Sequence, residues 1–70
     1  MTMIYTIDEQ IAEVRREIGM RMHVYPRFIA DGKLTKAHAD ERIAMLEAVR
    51  KTLETVRDER QAKVAPGLFP

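Results

Sequence analysis

A proline stands inside the best-patterned stretch of this chain, and the pattern runs straight through it. Ile7, Ile11, Val14, Ile18, Met22, Tyr25 and Ile29 recur at steps of 4, 3, 4, 4, 3 and 4. At about 100° per residue such steps hold the side chains to one narrow stripe, the mark of an amphipathic helix with a core face. Pro26 follows Tyr25 directly, lacks a backbone donor and crowds the turn before it. Because the stripe keeps its phase across Pro26, the spacing predicts one helix, about 7–31, kinked at Tyr25-Pro26. The alternative is a helix ending at Val24 and a short one restarting with Pro26 in its first turn, where a missing donor costs nothing.

The flanking residues supply a start, a stop and a restart. Thr6-Ile7-Asp8-Glu9 has the spacing of a capping box, in which Thr6 accepts from the Glu9 amide and the Glu9 side chain returns to the Thr6 amide. In Asp31-Gly32-Lys33-Leu34-Thr35, Gly32 can take the left-handed conformation at a helix end and Thr35 can cap the next helix. So short a link forces two helices to run antiparallel as a hairpin. The second helix is expected over about 36–62, with Ala39, Arg42, Leu46, Val49, Leu53, Val56 and Arg60 alternating steps of 3 and 4 on its inner side. That spacing is the seam of a left-handed coiled coil. Ile43 and Met45 broaden it, and the stems of Arg42 and Arg60 can pack near its ends while their charges reach water.

The whole chain, 1–70, therefore reads as one all-α helical-hairpin domain, with an N-terminal extension at 1–5 and a Pro-rich tail at 65–70. Two prolines and a glycine stop the tail Ala65-Pro66-Gly67-Leu68-Phe69-Pro70 from continuing the helix, although Leu68 and Phe69 can still dock. A chain of this size buries only about 60% of its unfolded surface. Without cysteine it has no disulfide or thiolate metal site to staple it. Its two histidines, His23 and His38, lack the i, i+4 spacing that puts two ligands on one helical face. No metal or other cofactor is expected.

Two packed helices leave one flank of their apolar surface wet. Met20, Val24 and Phe28 lie beside the first stripe, Met45 lies beside the second seam, and 46% of the chain is hydrophobic. These features predict an antiparallel homodimer that forms a four-helix bundle with two-fold symmetry. The competing arrangement is a monomer whose N-terminal segment and tail fold back over that flank. No run approaches the roughly 20 apolar residues that cross a bilayer, and Met1-Thr2-Met3-Ile4-Tyr5 lacks the basic start of a signal peptide. A cytoplasmic location without membrane contact is the expectation.

Twelve Lys and Arg stand against eleven Asp and Glu, for a net charge of +1. That balance excludes the strong positive field of a general nucleic-acid binder. Residues 10–38 nevertheless carry six basic and three acidic side chains. On a helical wheel Arg16, His23 and Arg27 lie opposite the apolar stripe, with Ala12, Gly19 and Ala30 between them. Arg15, Arg21, Lys33, Lys36 and His38 extend the positive charge along the flank of the first helix and around the hairpin tip. This surface suits phosphates, a nucleotide or an acidic protein face, since arginine offers a planar fork and lysine a mobile point charge. Glu13 with Arg16 and Glu17 with Arg21 are equally the ordinary intrahelical pairs of a solvated face. Asp40, Glu47, Glu54 and Asp58 form an acidic ridge on the second helix, interrupted by Lys51. Neither histidine has a serine or cysteine at a recognisable spacing, and no carboxylate pair is isolated on an apolar face. The composition of a catalytic site is missing, and the chain reads as non-enzymatic.

The run from Val14 to Val49 includes Arg15-Arg16-Glu17, Met20-Arg21, Val24-Tyr25-Pro26-Arg27, Gly32-Lys33-Leu34-Thr35, Ala39-Asp40, Arg42-Ile43-Ala44 and Met45-Leu46-Glu47-Ala48-Val49. In these residues, about half of the chain, it resembles an uncharacterised family of very small bacteriophage and prophage proteins. The resemblance implies an accessory role in phage or prophage biology inside a bacterial host and assigns no catalytic residue. By analogy it implies action through a host or phage protein partner. Two function classes follow. The first is a dimeric interaction protein presenting its basic surface near the kink and the tip. The alternative is a small nucleic-acid or nucleotide/phosphate binder using Arg16, Arg21, His23, Arg27, Lys33 and Lys36. Low net charge and only two tyrosines and two phenylalanines to stack on bases weigh against the second.

Overall fold

Residues 4–64 are described by a computed structural model. They form two helices, α1 (Ile7–Ala30) and α2 (Lys36–Val64). The capping box at the start of α1 is complete: the Glu9 amide donates to Thr6 Oγ1 at 3.0 Å, and the Thr6 amide donates to Glu9 Oε1 at 2.9 Å. The helix runs through Pro26 as one element and ends with Asp31 as its C-cap, so the alternative of two separate segments is excluded. At that end the Lys33 amide donates to the Phe28 carbonyl at 2.9 Å and the Gly32 amide to the Ile29 carbonyl at 3.1 Å. This double closure satisfies orphan carbonyls and needs a left-handed residue at its centre, which Gly32 supplies with φ +71°. Thr35 then opens α2, its Oγ1 accepting from the His38 amide at 3.1 Å. The helices start where the sequence places them; α1 stops one residue earlier than expected and α2 runs two residues further.

Antiparallel packing shows in which residues meet. Arg15 near the start of α1 reaches Glu54 late in α2 at 2.8 Å, and Asp8 lies 4.0 Å from Arg57. Close to the tip, Tyr25 and Ile29 share a groove with Ala39 and Ile43. The buried core is small. Ile11, Ile18 and Tyr25, spaced by seven along α1, are buried together with Ala39 of α2, and among the described residues no large side chain is completely enclosed. Among the described residues no buried side-chain polar atom lacks a hydrogen-bond partner.

Two assignments of inner positions need correction. Met22, expected in the α1 core stripe, is 61% exposed. At about 100° per residue it falls some 60° from the line of Ile7 and Tyr25, at the stripe's edge. In α2 the expected seam positions Arg42, Val49 and Arg60 are exposed, while Ile43, Arg50, Glu54 and Arg57 are partly buried. The helix is rotated about its axis relative to the expected seam. That rotation brings Glu54 and Arg57 to Arg15 and Asp8 on α1. It also turns Val49 and its neighbours outward on the other side. The N-terminal extension is described only from Ile4, and the Pro-rich tail, with the docking expected of Leu68 and Phe69, lies outside the described residues.

Candidate functional site

The hairpin has two flanks of different chemistry. On one, charged side chains of both helices lock together. Glu54 takes Arg15 at 2.8 Å and Arg50 at 3.3 Å, and Arg50 also pairs with Glu47. The hydrogen bond from Arg15, then the Arg50 charge, hold the Glu54 carboxyl below its ordinary value of 4.5. Arg57 adds a 3.2 Å contact to Asp58. Nearer the tip on this side, Met22, Tyr25, Pro26 and Ile29 face Ala39, Ile43 and the Lys36–Asp40 ion pair across a groove of about 650 Å³.

The opposite flank is apolar and open. Gln10, Glu17 and Val24 are spaced by seven along α1, as are Arg42, Val49 and Val56 along α2, so these rows run down one side of the hairpin. A groove in the tip half is lined by Met20, Val24, Phe28 and Leu34, with Lys33 and Arg42 at its edge. A second groove, of about 840 Å³, lies toward the open end between Tyr5, Ala12, Val14, Val49 and Leu53, with Glu9 and Glu13 at its edge. On this flank Tyr5 is 63% exposed, Met20 51%, Phe28 39%, Met45 55% and Val49 46%. Isolated apolar side chains on a surface are ordinary; here they form a row from both helices on one side.

Tyr25 lies between the flanks. It is buried, and its hydroxyl accepts from Arg21 Nη1 at 2.9 Å. Arg21 also donates to Glu17 at 2.7 Å, and these two partners, Glu17 first, hold its guanidinium charged. The aromatic ring thus fills the core while its polar end is satisfied by the next turn of its own helix.

The six side chains proposed from the sequence are not gathered into one patch. Arg16, His23 and Arg27 lie on the outer face of α1, where Glu13 takes Arg16 at 2.6 Å. Arg21 is drawn toward Tyr25 on the apolar flank, Lys33 edges the tip groove, and Lys36 pairs with Asp40 at 2.9 Å on the other side. His23, Arg27 and Lys33 keep no ion-pair partner among the described residues. Sequence reasoning missed Val49 as an exposed residue, because its heptad spacing fits an inner seam as well as an outer one. Met20, Val24, Phe28 and Met45 are legible in the sequence as apolar residues beside the two stripes. Among the described residues no cluster of three or more carboxylate or imidazole groups could hold a metal ion, and no helix is long and apolar enough to cross a membrane. No protein-family model, curated protein sequence or solved structure matches the chain.

Proposed function

We propose that the protein is a non-enzymatic interaction protein of the phage or prophage accessory type, which dimerises through its apolar flank into a four-helix bundle. The observation that carries this is the row of Met20, Val24, Phe28, Met45 and Val49 along one side of the hairpin, opposite a flank whose open-end half is closed by ion pairs. Weighted by exposure, these side chains with Tyr5 leave on the order of 500 Å² of apolar surface to cover. That is about the apolar share of a standard interface of about 800 Å² per partner. Two helices of about 36 and 44 Å laid side by side present a face of that size.

Once this flank is covered, the outer face of α1 remains outside. Arg27 and His23 lie there, and Arg27 has no ion-pair partner among the described residues. They suit an acidic surface on a host or phage protein better than a nucleic-acid backbone, since Arg16, Arg21 and Lys36 already engage carboxylates. Sedimentation equilibrium at micromolar concentration tests the assembly. The expected particle has twice the 8.1 kDa chain mass; a compact monomer throughout the range would remove the dimer.

A further inference from the structure

Resting on the dimer proposed above, we infer that the second copy lies end for end on the apolar flank, so that the hairpin tip of each chain covers the open-end groove of the other. A two-fold interface must be complementary to itself, because one patch serves both partners. Two arrangements satisfy the symmetry. In one, the axis runs along the helices and brings the two tips together. In the other, it crosses them near the middle, and each tip meets the opposite end.

Charge separates the two. The tip groove has Arg21, Lys33 and Arg42 against Glu17 alone, for +2, whereas the open-end groove has Glu9 and Glu13 against Arg16, for −1. Neither Lys33 nor Arg42 has an ion-pair partner among the described residues. Tip against tip would set these cations against their own copies, and like charges across an interface are costly. Placed end for end, Lys33 and Arg42 of one chain approach Glu9 and Glu13 of the other.

Shape agrees with charge. The tip half carries the protruding side chains Met20 and Phe28, 51% and 39% exposed. The open-end groove, about 840 Å³ against about 480 Å³ at the tip, is the roomier receptor for an aromatic ring. An end-for-end axis at the level of Met20, Met45 and Val49 delivers Phe28 of one chain toward Tyr5, Ala12 and Leu53 of the other. Phe28 and the open-end groove are thus the two halves of one contact, made twice.

The chain has no cysteine, so a single label can be placed without background. Asp31 is exposed, caps α1 through its backbone and lines neither groove on the apolar flank. A nitroxide on Asp31→Cys marks the tip, and double electron–electron resonance on the full chain reads the distance between the two tips of a dimer. Eleven residues from Met20 at the axis to Asp31, on each side, predict about 33 Å between labels. A distance under about 25 Å, with the dimer mass intact, would overturn the end-for-end arrangement and leave the dimer standing. A monomer mass, with no distance between chains, would overturn both together.

Discussion

Replacing Met45 with lysine perturbs the proposed interface while leaving the hairpin alone. Met45 is 55% exposed in the single chain, so about half of its side chain is already in contact and the rest is left for a partner. Full burial of a methionine contributes about 1.5–3 kcal/mol, and the exposed half about 1–1.5 kcal/mol. A two-fold dimer contains the residue twice, so Met45→Lys removes about 2–3 kcal/mol of association free energy. At 1.4 kcal/mol per tenfold, the dimer weakens by roughly 30- to 150-fold. Placing two ammonium groups at the interface pushes in the same direction. Methionine and lysine have nearly equal helix propensity, so α2 itself is unaffected. Sedimentation equilibrium over a concentration series gives the dissociation constant, and circular dichroism checks that helicity is retained. A dissociation constant within threefold of the parent, with helicity intact, would refute the assignment of this flank.

Other consequences can be measured on the same material. Pro26→Ala restores a helical hydrogen bond within a helix that already runs through this position. It should stabilise by about 2 kcal/mol after allowing for the looser unfolded chain, and clear destabilisation in thermal melts would contradict it. Thr35→Ala removes the hydroxyl that accepts from the His38 amide and should cost about 1 kcal/mol; no change would mean that the cap contributes nothing. Glu54 is held below its ordinary 4.5 by Arg15 and Arg50, and Glu9 by its bonds from Thr6. A carboxyl lowered in the folded state contributes stability that is fully present above its unfolded value and is lost as pH falls through the folded one. Melting temperature should therefore hold level from pH 7 to about 5 and fall below about 4.5, and less steeply in Arg15→Gln. An identical acid profile in that variant would exclude the Arg15–Glu54 contact as a source.

Most of the fold is written in local signals. Thr6 with Glu9, Gly32 and Thr35 mark three helix ends by chemistry confined to a few neighbouring residues, and each acts as its spacing implies. The phase of α2 is not local. Its apolar residues extend in two directions from Leu46 and Leu53, and α2 is correspondingly less one-sided than α1. Which direction faces α1 depends on contacts such as Arg15 with Glu54, 39 residues apart, that no periodicity reveals. Pairing at i, i+3 and i, i+4 made Glu13–Arg16 and Glu17–Arg21 readable in advance. The second role of Arg21, as donor to the Tyr25 hydroxyl, follows the same spacing yet needs the burial of the ring to become visible.

The central claim is that a second copy covers the apolar flank, and contacts between chains report on it directly. A sample mixed from ¹³C-methyl-labelled and unlabelled chains, read by isotope-filtered nuclear Overhauser spectroscopy, shows which methyl groups touch the other copy. Intermolecular contacts are expected from Met20, Met45 and Val49, with none from Met22 on the far flank. Contacts confined to Met22, or none at a concentration where the particle is a dimer, would contradict the account.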